Sequence, residues 1–68
     1  MSKKLYSPED IEQLRIAFRD FLLERNLTLQ KVALILDVSP GTLSLFKNGK
    51  TVPFDRTLYR IKKLIGES

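Results

Sequence analysis

Sixty-eight residues suffice for one small domain, which buries only about 60% of the surface its unfolded chain exposes, so a deep catalytic cleft has no room. With no cysteine and no histidine, the chain has no disulfide framework, no thiolate chemistry, no Ser-His or Cys-His pair, and no zinc site beyond carboxylates. Its formal charge is +4, with six cations against five acids in residues 1–36 and six against three in residues 37–68, which points to a polyanionic partner.

Ser7-Pro8-Glu9-Asp10 reads as a helix start. The Ser7 hydroxyl accepts from first-turn amides, Pro8 fits a position whose amide goes unused, and the acids meet the positive end of the helix dipole. Glu9, Asp10 and Glu12 are accordingly capping residues rather than an acid-base pair, since nothing apolar surrounds them to shift a pKa. Ile11, Leu14, Ala17, Phe18, Phe21 and Leu22 then recur at helical spacing to about Arg25, with the two phenylalanines as core anchors.

Asn26 suits the left-handed residue that ends this helix, and Thr28 caps a second one running to about Leu36. Leu29, Val32, Ala33 and Leu36 share its inner side. Leu34 and Ile35 fall on the opposite half, where a water-facing helix carries polar residues; they mark either a protein interface or a surface covered by the first helix or the N-terminal arm.

Ser39 caps a third helix with Pro40 at its first position, and Asn48-Gly49 ends it before a loop over residues 50–53. Asp55 caps the last helix, in which Leu58, Ile61, Leu64 and Ile65 bury, Arg56, Arg60, Lys62 and Lys63 face out, and Gly66 closes the run. No apolar stretch approaches the ~20 residues needed to cross a bilayer, and no apolar core of a secretory signal follows the opening lysines.

On the third helix Leu43 and Phe46 hold the inner side. Pro40, Gly41, Ser44 and Asn48 form the outer side with Leu45 as its one bulky member, and Thr42 lies at the margin. Solubility alone would select Lys, Glu or Gln there, because glycine inside a helix costs about 1 kcal/mol relative to alanine. Size is the constraint instead: small groups let the backbone approach a polar surface and leave first-turn amides open to phosphate oxygens.

The segment "LTLQKVALILDVSPGTLSLFKNGKTVP" resembles the helix-turn-helix of the lambda-repressor and Cro-like (Xre) family, and "TLYRIKKLIG" resembles that family's next helix. Ala33 stands where the two motif helices cross, Leu43 ten positions later packs beside it, and Phe46-Lys47-Asn48-Gly49 matches the ending of the family's recognition helix. The resemblance implies an all-α bundle of four or five helices in one domain, 1–68, with the motif near 28–48. It also implies a double-stranded DNA partner, with the third helix in the major groove. Pro40, Gly41, Ser44 and Leu45 would face base edges, with Thr42 at the margin; Ser39, Lys47, Asn48, Lys50 and Thr51 join the contact set around that helix, the last three holding phosphates at its far end, and Thr28 and Gln30 would hold phosphates at the start of the second helix.

Three departures from the family pattern carry consequences. Asp37 replaces the usual turn glycine and has to adopt a left-handed conformation, Leu29 replaces a phosphate-reaching glutamine, and the outer face has no Arg, Gln or Asn before Asn48 to make bidentate base contacts. Backbone affinity should therefore exceed sequence discrimination.

A phage or bacterial transcriptional regulator, cytoplasmic and nucleoid-associated, is the reading this implies. The same segment also resembles the N-terminal DNA-binding domain of transposition-targeting ATPases, which bind with little sequence preference. A third reading is a helix-turn-helix-derived interaction module that docks a homodimer or larger protein partner through Leu34 and Ile35. No enzyme, cofactor or metal is expected: Ser39 and Ser44 have no base, and Gly41, Gly49 and Gly66 form no phosphate-binding fingerprint.

Overall fold

The computed structural model describes residues 6–67, except the side chain of Glu67. Four helices follow one another: α1 (Pro8–Arg25), α2 (Leu29–Leu36), α3 (Pro40–Lys47) and α4 (Asp55–Glu67). No strand occurs among the described residues. α1 packs on α3 and α4, and α2 packs on the same pair, so the two short central helices lie against a frame made by the two long outer ones.

The starts of the first three helices are set by hydroxyls. Ser7 and Asp10 form a reciprocal capping box, the Asp10 amide donating to Ser7 Oγ at 3.1 Å and the Ser7 amide donating to the Asp10 carboxylate at 3.2 Å. Thr28 Oγ1 accepts from the Lys31 amide and Ser39 Oγ from the Gly41 amide, each at 3.2 Å. Two expected capping roles are different in the structure. Asp55 is the first residue of α4, where its carboxylate still meets the positive dipole end, and Glu12 points away from the α1 cap to pair with Arg15.

Their ends follow one geometry. Asn26, Asp37 and Gly49 have φ of 52°, 57° and 74°, and they are the only described residues with positive φ. In each case the next amide reaches back across the left-handed residue: Leu27 to the Leu22 carbonyl, Val38 to Ala33, and Lys50 to Leu45, at 2.8 to 3.0 Å. Asp37 thus adopts the conformation expected of a residue in the glycine position. α4 runs through Gly66 to Glu67, so Gly66 does not close it.

The core joins all four helices through Leu14, Phe18, Leu22, Val32, Ala33, Leu36, Leu43, Phe46, Leu58 and Ile61. Phe18 of α1 and Phe46 of α3 meet at the centre with ring centroids 6.0 Å apart and planes inclined by 33°, within the range that aromatic pairs favour. Leu29, Leu64 and Ile65 pack against this core from its edge and are half-buried. Leu34 and Ile35 do not bury: α1 leaves them uncovered, at 83% and 61% exposure. The N-terminal arm proposed to cover them, residues 1–5, lies outside the described part.

Candidate nucleic-acid interface

α3 is fixed from within by Leu43 and Phe46, both fully buried, which turns Pro40, Gly41 and Leu45 outward to solvent and leaves Ser44 half-exposed beside them. The resulting ridge is narrow at its start. An added Cβ at Gly41 would meet nothing closer than Ser39 Oγ at 3.5 Å, ordinary contact, so nothing inside the protein requires glycine here. Its use fits an external constraint on size.

The amide supply at this end is smaller than the sequence implies. Pro40 has no amide hydrogen, the Gly41 amide donates to Ser39 Oγ, and the Leu43 amide donates to the Ser39 carbonyl at 3.3 Å. Only the Thr42 amide of the first turn lies outside these bonds, and Ser39 is engaged as a cap through both its hydroxyl and its carbonyl. A phosphate at this edge would therefore have to be met mainly by side chains.

At the far end the chain is firmly placed. Lys50 is bonded through its amide to the Leu45 carbonyl at 2.8 Å, and Gly49 donates to the Phe46 carbonyl at 3.0 Å, so the backbone that bears the loop cation is held against the end of α3. Lys50, Asn48 and Thr51 are all exposed. Arg15 of α1 reaches the same place: its Nη1 donates to the Lys47 carbonyl at 3.4 Å, and its side chain would be 3.7 Å from a Cβ added at Gly49. Glu12 holds Arg15 through an ion pair and a bond from Nε to Oε1 of 3.0 Å. That hydrogen bond, more than the coulombic attraction, keeps the Glu12 carboxyl below the ordinary glutamate value of 4.5 and the Arg15 guanidinium above its own.

A second arginine serves α2 in the same way. Arg60 of α4 donates from Nη1 to the Leu36 carbonyl at 3.0 Å, a tie that its expected place on the outward face did not suggest. The carboxyl ends of both motif helices are thus bonded by arginines from outside the motif, a favourable placement of positive charge against the negative end of each helix dipole.

The candidate contacts separate into three groups. Thr28 and Lys47 come together in one hollow with Arg19 of α1 and Asn26, so the start of α2 has two cations beside it from other helices. Arg19 is invisible to motif reading because it lies on α1, before the two motif helices. Gln30 is exposed on the first turn of α2 but does not line that hollow. Ser39, Thr42, Leu45 and Thr51 line a different cleft, whose other wall is apolar: Val52 and Phe54 stand 57% and 77% exposed, and Arg56 stacks over the Phe54 ring at 5.9 Å. Pro40, Gly41 and Ser44 form the open ridge between them.

The family model for the helix-turn-helix matches residues 18–68. The chain belongs to the lambda-repressor-like (Xre) helix-turn-helix family. No curated protein and no solved structure matches it at a significant level. Membership supports a DNA-binding domain, and within it the matched span includes α2, α3 and α4 entire and the end of α1 from Phe18. Among the described residues no helix is long and apolar enough to cross a membrane.

Proposed function

We propose that this helix-turn-helix domain is a regulator of transcription in a phage or bacterium, with α3 in the major groove and affinity drawn chiefly from the phosphate backbone. The observation that carries this reading is the α3 ridge, with exposed Pro40 and Gly41, half-exposed Ser44 and, at 46% exposure, Leu45. Cations lie beyond its C-terminal end: Arg19 and Lys47 beside Thr28, and Lys50, whose amide is bonded to the Leu45 carbonyl. Leu45 faces a thymine methyl group and Ser44 a base edge, contacts of modest discrimination compared with an Arg-guanine pair worth about 1–3 kcal/mol. With about five phosphates neutralised, the logarithm of affinity should fall with the logarithm of salt at a slope of roughly −4 to −5.

The absence of Arg, Gln and Asn from the ridge favours a second reading, a tether with little sequence preference like the targeting domain of transposition ATPases. Titration of random-sequence and candidate-operator duplexes at two salt concentrations separates the two. A regulator retains a preference of at least about 1,000-fold, the low end for specific binders, whereas a tether binds both duplexes alike. No binding to any duplex in dilute buffer rejects both.

A further inference from the structure

Ser7, Thr28 and Ser39 cap the first three helices, but the residue before α4 is Phe54, which has no side-chain acceptor to offer a first-turn amide. The Phe54 carbonyl accepts from the Thr57 and Leu58 amides at 2.9 and 3.0 Å, which fixes its backbone, while the ring stands in water. A local rule broken at one helix start, with the offending ring left exposed, points to a role outside the protein's own packing. Pro53 holds its own φ and confines Val52 to extended backbone, so a second exposed apolar side chain meets the same cleft on a stiff segment. Leu45 and Thr42 of α3 and Thr51 of the loop line that cleft as well, and none of its lining residues carries a charge. Arg56 lies over the Phe54 ring at 5.9 Å without lining it. The cations of this face gather elsewhere: Lys47, about 200° around α3 from Leu45, lines the hollow that it shares with Arg19.

We propose that Val52 and Phe54 join Leu45 in reading thymine, their carbon surface covering C5-methyl groups in the major groove while the Thr42 and Thr51 hydroxyls supply donors for thymine O4. The proposal rests on α3 docking in that groove; it adds the base that the domain prefers and two residues beyond α3 that select it. The chemistry of the cleft picks this occupant. In the major groove thymine presents one acceptor beside a methyl group, and no other base edge offers a methyl there: adenine and cytosine show amino donors, guanine two acceptors. Hydroxyl donors beside aliphatic and aromatic carbon, without charge, match the thymine edge. A phosphate calls for cations, which this cleft lacks. Leu45 and Thr42 belong both to the cleft and to the α3 face, so a duplex seated on that face passes in front of Val52 and Phe54. Because the wall is held before contact, little ordering opposes binding. Sequence preference then comes from methyl groups, in a domain whose α3 ridge has no Arg, Gln or Asn before Asn48.

The probes are duplexes of about 20 base pairs, two helical turns: one of mixed A·T sequence, the same with deoxyuridine at every thymine, one of G·C pairs, and the same with 5-methylcytosine at every cytosine. Fluorescence anisotropy in dilute buffer gives the dissociation constants. Deoxyuridine removes the methyl group and keeps the pairing, so it should weaken binding about fourfold for each methyl covered; 5-methylcytosine restores a methyl at the same place and should bind more tightly than cytosine. In the double variant Val52→Ser, Phe54→Ser the ratio between thymine and deoxyuridine duplexes should fall at least about fourfold, while affinity for the deoxyuridine duplex stays within about twofold and the salt slope is unchanged, because no cation is lost. Both side chains are exposed and serine is a favoured cap, so the variant keeps its fold; Val52→Ser alone repeats the comparison with the start of α4 intact. Equal binding of the thymine and deoxyuridine duplexes by the wild-type chain overturns the proposal. So does a thymine preference that the double variant retains in full, which leaves Leu45 as the reader, or a mass that rises with concentration without duplex and reverts in Phe54→Ser, which gives the wall to a second copy. Absence of binding to every duplex rejects the docking of α3 and this proposal with it, a result distinct from uniform binding, which rejects this proposal alone.

Discussion

Replacing Gly41 by alanine should move stability and DNA affinity in opposite directions. In the free protein the new methyl group meets only Ser39 Oγ at 3.5 Å, and the backbone at this position is helical, so no strain opposes it. Removing the glycine's conformational freedom from the unfolded chain then stabilises the fold by about 0.4–1 kcal/mol. For a chain of this size that is a rise in melting temperature of about 3–6 °C, well resolved by circular dichroism at 222 nm. On the proposed docking of α3 the same methyl group would occupy the surface of closest approach to the duplex. If it is accommodated as poorly as an extra methylene in a packed core, the loss is about 1–3 kcal/mol, or roughly 5- to 150-fold in dissociation constant by fluorescence anisotropy. An unchanged dissociation constant beside a raised melting temperature would refute the idea that the ridge is slim for the sake of contact, and a lowered melting temperature would refute the open surroundings of Gly41.

Lys50→Ala should weaken binding by a similar factor on every duplex and reduce the magnitude of the salt slope by about 1; an effect confined to one sequence would contradict its assignment to phosphate. Phe18→Ala should cost about 3–5 kcal/mol in urea denaturation, because the ring is fully buried against Phe46 at the centre of the core. Asp37→Gly should stabilise by up to about 1 kcal/mol, by relieving a φ of 57° at a side-chain-bearing residue, and should tighten duplex binding by removing an acid beside the motif turn. The Glu12 carboxyl should titrate below 4.5 in NMR; since its folded pKa is depressed, the stability it contributes is complete above that value, fades as pH falls through the folded pKa, and vanishes from the profile in Arg15→Gln.

The elements were readable because each boundary is marked by a residue with a local reason to be there. Ser7, Thr28 and Ser39 bond amides two or three residues ahead, and Asn26, Asp37 and Gly49 adopt a conformation that few other residues tolerate, so neither needs knowledge of the distant chain. The inner faces of α2 and α3 were equally plain from spacing. What escaped were long side chains that bond backbone far away in sequence. Arg15 to Lys47 and Arg60 to Leu36 span 32 and 24 residues, and an arginine with such a partner looks, in a helical pattern, the same as one bathed in water. The start of α4 was misjudged for a related reason: Phe54 supplies its first carbonyl, accepting from the Thr57 amide at 2.9 Å, so the capping backbone belongs to a large apolar residue without a capping side chain. The pairing of Arg19 with Lys47 beside Thr28 likewise exists only once α1 crosses the motif.

The two arginine bonds make the orientation of α2 and α3 a property of the whole chain. Arg15 lies upstream of the stretch that matches the family, yet it holds the final carbonyl of α3. Grafting 28–48 onto another scaffold would transfer the α3 ridge and leave behind Arg19, Lys50, Thr51 and the guanidinium groups that hold the helix ends. Designers who wish to retarget this protein can vary the ridge freely, but they should carry the outer helices along as its gunmount.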